Sequence, residues 1–197
     1  NLVPLEHLGD CITTAATSVA AGMVVVASAA GGVCVVNARD KREVARLDGA
    51  HRAGVLSVDI GPVSAAGEAT IVTGGEDGMV RIWRLHSRAV ATSPALKCSG
   101  ELLMKATAGG AITSRSGVWV SRVSLDDSGA HVAVATGKAA SVYRVADIVA
   151  GAVASAASGS KAGAPAVEPV MSLPPTAHPL DELKFVRGGR LLTACYG

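Results

Sequence analysis

The sequence predicts an all-β protein assembled from repeated antiparallel strands, and three observations lead to this fold class. First, residues 73–83 read TGGEDGMVRIW, in which a Gly-rich turn is followed by alternating apolar residues that end at Trp83. The Asp77-Gly78 pair in that turn supplies the positive φ that a tight hairpin requires. Second, glycines punctuate β-branched runs within residues 11–38. Third, the hairpin pattern recurs along the chain.

The stretch at residues 11–38 also has the length of a membrane-spanning helix and carries no charged side chain. Its interior favours strands instead, because Gly22, Gly31 and Gly32 interrupt it and valine runs lie between the turn residues. We therefore expect two buried strands here and no membrane span.

An internal repeat relates this stretch to the hairpin. Residues 12–17 correspond to residues 55–60, and residues 30–36 correspond to 77–83, with Ala30 in place of Asp77. A third unit runs over residues 120–145, where Tyr143 takes the position of Trp83. Residues 180–194 repeat only the first half of the pattern. Repeated units of this kind are typical of repeat architectures.

Residues 50–85 resemble one blade of a WD-repeat β-propeller. Ala50-His51 stands where that family has Gly-His, Asp77 lies six residues before Trp83, and residues 55–60 form the inner strand between them. The resemblance implies an all-β fold, a β-propeller of four-stranded antiparallel blades. About three complete blades plus partial ones are expected, so the chain is interpreted as a segment of a larger propeller.

The blade pattern also predicts boundaries and two insertions. The Ala/Gly/Ser insertion is expected to be a mobile loop, with a short helix over residues 148–157 as the alternative. A fourth strand of the strong blade is expected near residues 101–105. The predicted segments are the end of a preceding blade (1–8), a blade (9–49), a blade with an inserted loop at 86–100 (50–107), a blade with the insertion at 147–166 (117–174) and an incomplete blade (177–197).

Four residues of the strong blade have a composition that invites two interpretations. The resemblance implies that His51, Thr73, Asp77 and Trp83 form a buried hydrogen-bonded set that ties the turn to the neighbouring strand. Read without that context, hydroxyl, imidazole and carboxylate suggest a nucleophilic relay. A threonine inside a strand is not presented on an exposed turn, as a catalytic nucleophile is. We therefore expect a structural set and no catalytic residue. The four cysteines lie far apart without metal-ligand spacing, so no metal or cofactor is expected.

Residues 79–122, called here the basic sector, carry the clearest charge bias in the chain. This range contains seven arginine and lysine residues and one acidic residue, Glu101. Such a sector suits an acidic partner or phosphates, and the alternative is an ordinary solvated face. The candidate partner-binding residues are Arg81, Arg84, Arg88, Lys97, Lys105, Arg115 and Arg122.

The function expected from the resemblance is a non-catalytic scaffold, a rigid platform for other proteins within a multi-protein assembly. The alternative is binding of RNA or a ribonucleoprotein through the basic sector. Five aromatic residues offer few stacking platforms for single-stranded nucleic acid. No leader pattern opens the sequence, and an intracellular location, in the cytoplasm or the nucleus, is expected.

Overall fold

The structure is a computed structural model that describes residues 11–18, 22–65, 67–86, 96–104, 113–114, 117–158 and 167–195. Within these residues the chain forms short strands and a single helix, α1 (Val145–Ser158). The strands are β1 (Ile12–Ser18), β2 (Met23–Ser28), β3 (Val33–Asn37), β4 (Glu43–Leu47), β5 (Val55–Val63), β6 (Glu68–Gly75), β7 (Met79–His86), β8 (Leu96–Leu103), β9 (Thr113–Ser114), β10 (Gly117–Val118), β11 (Arg122–Leu125), β12 (His131–Thr136), β13 (Ala139–Arg144), β14 (Met171–Leu173), β15 (Glu182–Val186) and β16 (Arg190–Ala194).

Three sheets share one topology, in which four antiparallel strands lie side by side in chain order. We name them sheet 1 (β1–β4), sheet 2 (β5–β8) and sheet 3 (β11–β14); sheet 4 is the pair β15–β16, and β9 and β10 form a separate ribbon. The prediction of four-stranded antiparallel sheets is therefore confirmed. Closure of the sheets into a ring is not seen among the described residues.

The sheets stack face to face on apolar side chains. Val25 and Val35 of sheet 1 pack on Ile71 and Trp83 of sheet 2. The opposite face of sheet 2 packs on sheet 3, and the opposite face of sheet 3 packs on sheet 4. Sheets 2 and 3 are thus covered on both faces, which accounts for the burial of β6 and β12 along almost their whole length.

The first strands of neighbouring sheets run in the same direction and are cross-linked. In β5 and β11, Ser57 Oγ accepts from Val123 N at 3.1 Å, and Asp59 Oδ2 accepts from Leu125 N at 2.9 Å. One sheet further on, Ser124 Oγ accepts from Phe185 N at 3.0 Å. Asp59 and Ser124 hold equivalent places in their strands, so the same contact recurs between successive sheets.

This shared direction puts corresponding connections on the same rim of the stack. In each four-stranded sheet, the turn between the first two strands and the connection between the last two lie at one end, because the strands alternate in direction. The turn between the second and third strands lies at the other end. Helix α1 therefore belongs to the same rim as the β11–β12 turn.

Helix α1 corrects two expectations, the all-β class and the mobile loop at 147–166. The described residues are mostly β, but 145–158 are helical, and residues 159–166 lie outside the described residues. The loop prediction assumed that an Ala/Gly/Ser tract buries too little. Ile148 is in fact fully buried against sheet 2, and Gly100 of β8 lets the backbone of Val149 come within 3.1 Å of the place where a Cβ would stand. Burying one isoleucine contributes about 1.5–3 kcal/mol.

The inserted loop at 86–100 is also shorter than predicted. The fourth strand of sheet 2 begins at Leu96 rather than near residue 101, because Leu96 pairs with Leu85 and is 3% exposed. The fourth strand of sheet 3 covers Met171–Leu173. The ribbon of β9 and β10 has no counterpart in the sequence-based prediction, and residues 1–8 lie outside the described residues. Within the part of the chain that is described, no helix combines the length and hydropathy needed to cross a bilayer.

Candidate functional site

A polar cluster is buried at the end of sheet 2 where β6 turns into β7. His51 comes from the segment between sheets 1 and 2, Thr73 from β6, Asp77 from the turn and Trp83 from β7. Thr73 is fully buried, and His51 is 2% exposed. The structure thus brings together the four residues that the sequence selected, across a separation of up to 32 positions from His51 to Trp83 (83 − 51).

The hydrogen bonds of this cluster form one chain. Trp83 Nε1 donates to Thr73 Oγ1 at 3.0 Å, and the Thr73 hydroxyl lies 2.7 Å from His51 Nε2. On the other side of the ring, His51 Nδ1 lies 2.8 Å from Asp77 Oδ1. Each group has a partner of opposite hydrogen-bonding character if Thr73 donates to Nε2 and Nδ1–H donates to Asp77.

The other tautomer of His51 does not fit these distances. With the proton on Nε2, the ring would donate to Thr73, whose hydroxyl hydrogen would then have no acceptor within the chain of bonds. Nδ1 and Asp77 Oδ1 would face each other as two acceptors at 2.8 Å. A proton on Nδ1 therefore pairs a donor with an acceptor at each step of the chain from Trp83 to Asp77.

Arg81 is a fifth member of the cluster. Its Nη1 donates to Asp77 Oδ2 at 2.8 Å, and its Nε donates to Glu101 Oε1 at 2.7 Å. Arg81 Nη1 also lies 2.8 Å from His51 Nδ1, because both nitrogens contact the carboxylate of Asp77. The Arg81 side chain is only 10% exposed.

The charge pattern predicted a partner-binding role for Arg81, but the structure places its side chain inside the protein. The signal was present in the pattern, because Arg81 lies two residues before Trp83 and therefore on the same face of β7. It also pairs directly with Thr73 across the sheet. A charge on that face, four residues after Asp77, indicates an ion pair with the turn.

Asp77 holds the largest number of donors in the cluster. Backbone N–H groups of Arg52 and Met79 both reach it at 3.1 Å, in addition to His51 and Arg81. Burial by itself raises the pKa of Asp77. The hydrogen bonds from His51 and Arg81 outweigh that effect and hold its pKa well below the usual range. Asp77 is accordingly a carboxylate at neutral pH.

Glycine makes room for this arrangement. A Cβ on Gly75 would lie 2.5 Å from His51 Nδ1, a distance that no side chain tolerates. Gly78 adopts a φ of 75° in the turn, where a Cβ would lie 2.6 Å from the Val118 carbonyl oxygen. The glycines of the turn are therefore required by space as well as by backbone conformation.

Equivalent positions in the neighbouring sheets are apolar. In sheet 3, Val134 stands at the position of Thr73 and Tyr143 at that of Trp83, by strand register. In sheet 1, Val26 and Val36 occupy the same two positions. Among the described residues, sheet 2 alone carries the complete polar cluster.

The remaining cations of the basic sector are dispersed. Arg84 is half-buried and donates from Nη1 to Thr70 Oγ1 at 2.9 Å, while Lys97 is exposed on the neighbouring strand β8. Arg122 donates to the carbonyl oxygens of Asp181 and Ser121, at 2.8 and 2.7 Å. These side chains therefore do not form one continuous basic surface. Arg88, Lys105 and Arg115 lie outside the described residues.

A polar pocket of about 400 Å³ lies between the first strands of the four sheets. Thr13 and Thr17 of β1, Asp59 of β5, Arg122 of β11 and Lys184 of β15 contribute to its wall. Asp59 accepts from the backbone N–H of Leu125, and Arg122 donates to the two carbonyl oxygens described above. Within the described ranges, no group of three or more His, Cys, Asp or Glu side chains is placed to hold a metal ion.

Comparison with known proteins gives no assignment: no protein-family model and no curated protein matches the sequence.

Proposed function

We propose that this chain is a WD-repeat-like segment of a β-propeller that serves as a non-catalytic platform for other proteins within a multi-protein assembly. The observation that supports it best is the regular stacking of the sheets. Their first strands run in the same direction and exchange the same hydrogen bond at equivalent positions, as Asp59 does with Leu125 and Ser124 with Phe185. Radial stacking of four-stranded sheets around a channel is the arrangement of a propeller.

The polar cluster fits a structural role better than a catalytic one. A nucleophile has to reach its substrate, and Thr73 has no exposed surface. Its oxygen already accepts from Trp83, and its proton is directed at His51. The Asp77 carboxylate is engaged by Arg81 as well as by His51. Each hydrogen bond of this kind contributes about 0.5–1.5 kcal/mol of net stability.

A platform of this type offers its rims and outer edges to partners, while the stacked core keeps their spacing fixed. The rim formed by the β11–β12 turn and α1 departs furthest from the repeating pattern. Repeat proteins commonly place their insertions on the face that binds. This rim is therefore the part of the described chain that we assign to partner contact.

The test is a pull-down with the intact chain from a cell extract, done with and without nuclease treatment. A protein platform retains its partners after nuclease, and its binding shows a shallow dependence on salt. Complete loss of the partners after nuclease would instead favour the RNA alternative. An RNA ligand would also give a log affinity that falls steeply with log salt, because each neutralised phosphate releases counterions.

Charge-reversal variants test whether individual cations of the basic sector contact the partner. Reversal at Arg84, Arg88 and Lys97 should weaken an anionic partner in a salt-dependent way. The matched control for each single reversal is Arg190→Glu, which changes the net charge by the same amount at an exposed position on β16. Equal loss with the control would point to a non-specific effect of net charge.

A further inference from the structure

A groove of about 600 Å³ lies between β7 of sheet 2 and helix α1 beside sheet 3. Its lining divides by chemistry into an apolar floor and a polar rim. The floor is formed by Val145, Ala146, Val149 and Ala150, and the rim by Arg84, His131 and Arg144. A groove with apolar contact area and a few directed polar groups has the composition of a binding site.

The apolar floor continues along the exposed side of α1. Ala146, Val149, Ala150 and Val153 follow the spacing of one helix face, and Val153 is 63% exposed. The opposite side of the helix is already anchored, since Ile148 is fully buried. Helix α1 is thus apolar both toward the protein and toward solvent, and exposed apolar patches rimmed by polar residues mark interaction sites.

The arginines at the rim keep donors for a ligand. Arg144 is 61% exposed, and its 3.9 Å contact with Asp147, itself 48% exposed, is a long surface pair that contributes little. Arg84 uses Nη1 for Thr70, which leaves its other guanidinium donors for a ligand.

The nearby acid Asp126 is not part of the groove lining, and its carboxylate accepts hydrogen bonds within its own turn. It accepts from His131 Nδ1 at 2.9 Å and from the backbone of Ala130 at 2.9 Å. The donors at the rim therefore face the groove without an acid of the lining to oppose them.

We propose that this groove docks an acidic amphipathic segment of a partner protein. Its apolar side chains would lie on the α1 face, and its carboxylates would bind Arg84 and Arg144. The proposal rests on the platform function and names the partner chemistry of that rim. Charge complementarity selects this occupant, because guanidinium groups bind carboxylates in a directed, bidentate way.

Two other occupants fit the groove less well. RNA would leave the apolar face of α1 without a partner and would find no Phe, Tyr or Trp side chain in the lining to stack on. A second copy of the chain would bring the same arginines toward each other across a two-fold axis, which is unfavourable.

The experiment is selection from a display library of random peptides about 16 residues long, followed by affinity measurement on chain variants. Enriched peptides should combine Asp or Glu with Leu or Phe at helical spacing. Arg144→Glu and Val153→Ser should each weaken the best peptide by about tenfold, and Arg84→Gln by less. All three changes are at exposed or half-buried positions, and unchanged thermal stability verifies that the fold is kept.

Arg190→Glu is the control, because it removes the same charge on sheet 4 and should leave the affinity unchanged. The docking proposal would be overturned if the selection enriched no such peptides. It would also be overturned if the enriched peptides bound the Arg144 and Val153 variants as tightly as the parent. A dimer in ultracentrifugation that Val153→Ser dissociates would assign the face to a second copy. Partners that survive nuclease but ignore these variants would refute the groove and leave the platform standing, whereas nuclease-sensitive capture would refute the platform.

Discussion

The hydroxyl of Ser124 in sheet 3 donates a hydrogen bond to the carboxylate of Asp59 in sheet 2, at 3.1 Å. The same hydroxyl accepts from Phe185 N of sheet 4, so one side chain connects three sheets. Apolar packing between sheets is not directional, and it tolerates sliding. Hydrogen bonds at equivalent positions of the first strands therefore fix the register of the stack.

Removal of either side chain should lower stability, and removal of both should show coupling. Asp59→Ala leaves Leu125 N without its acceptor, and Ser124→Ala does the same for Phe185 N, so each should cost about 1–3 kcal/mol. The double variant should be less destabilised than the sum by about 1 kcal/mol, because the Asp59–Ser124 bond is lost only once. Urea denaturation measures this cycle. Asp127→Ala, at an exposed turn position, is the control.

Strand pairing was predictable because it depends on local signals. Turn glycines and alternation located β5, β6 and β7, and the repeat then carried those assignments to sheets 1 and 3. The helix over residues 148–157 was expected only as the alternative to a loop, because α1 is stabilised by burial of Ile148 against another sheet, a long-range contact that an Ala/Gly/Ser composition does not encode. Tertiary packing overrides local propensity in such cases.

The polar cluster was predictable in part for the same reason. His51, Thr73, Asp77 and Trp83 occur at recognisable spacings. Arg81 shares the face of β7 with Trp83, a signal that a prediction based on charge alone does not use. The bonds of Asp59 and Ser124 join strands 65 residues apart, and nothing in the local sequence around either residue indicates the other.

Substitution of Gly74 should show how tightly sheets 2 and 3 pack against each other. A Cβ at this position would lie 2.3 Å from Val120 Cγ1, whereas a Cβ on Gly61 in β5 would find its nearest neighbour at an ordinary 3.4 Å. Neither glycine has a positive φ, so the comparison isolates packing. Gly74→Ala should cost about 1–3 kcal/mol by overpacking, and Gly61→Ala should be close to neutral. Equal midpoints for the two variants in thermal unfolding would contradict the stacking geometry.

Cys34 should be the least reactive thiol of the folded chain. Burial, reinforced by the carboxylate of Glu43, raises its pKa from 9.0 to about 11. At pH 8 the thiolate fraction is then about 100-fold lower, and the thiolate is the nucleophile. Alkylation followed by site-resolved mass spectrometry should label exposed Cys195 long before Cys34. The difference should vanish in urea, and its persistence there would show that local sequence rather than burial protects Cys34.

The final prediction concerns acid and follows from the Asp77 carboxylate. Its pKa is lower in the folded chain than the ordinary value of 3.8, so folding favours its ionised form. The stability that this adds is fully present above about pH 5 and is lost progressively as the pH falls through 3.8 toward the folded-state pKa.

Asp77→Asn should therefore destabilise the chain by about 1–3 kcal/mol at pH 7, since the charge partner of Arg81 is removed, and it should flatten the acid limb of the stability curve. Urea denaturation at intervals from pH 7 to about pH 3 measures both effects. Asp48→Asn, at an exposed site, should keep the parent's pH dependence. His51→Ala should also lower stability, since it takes the imidazole from Thr73 and Asp77. A parent and an Asp77→Asn variant that lose stability in parallel below pH 5 would mean that another carboxylate governs acid unfolding.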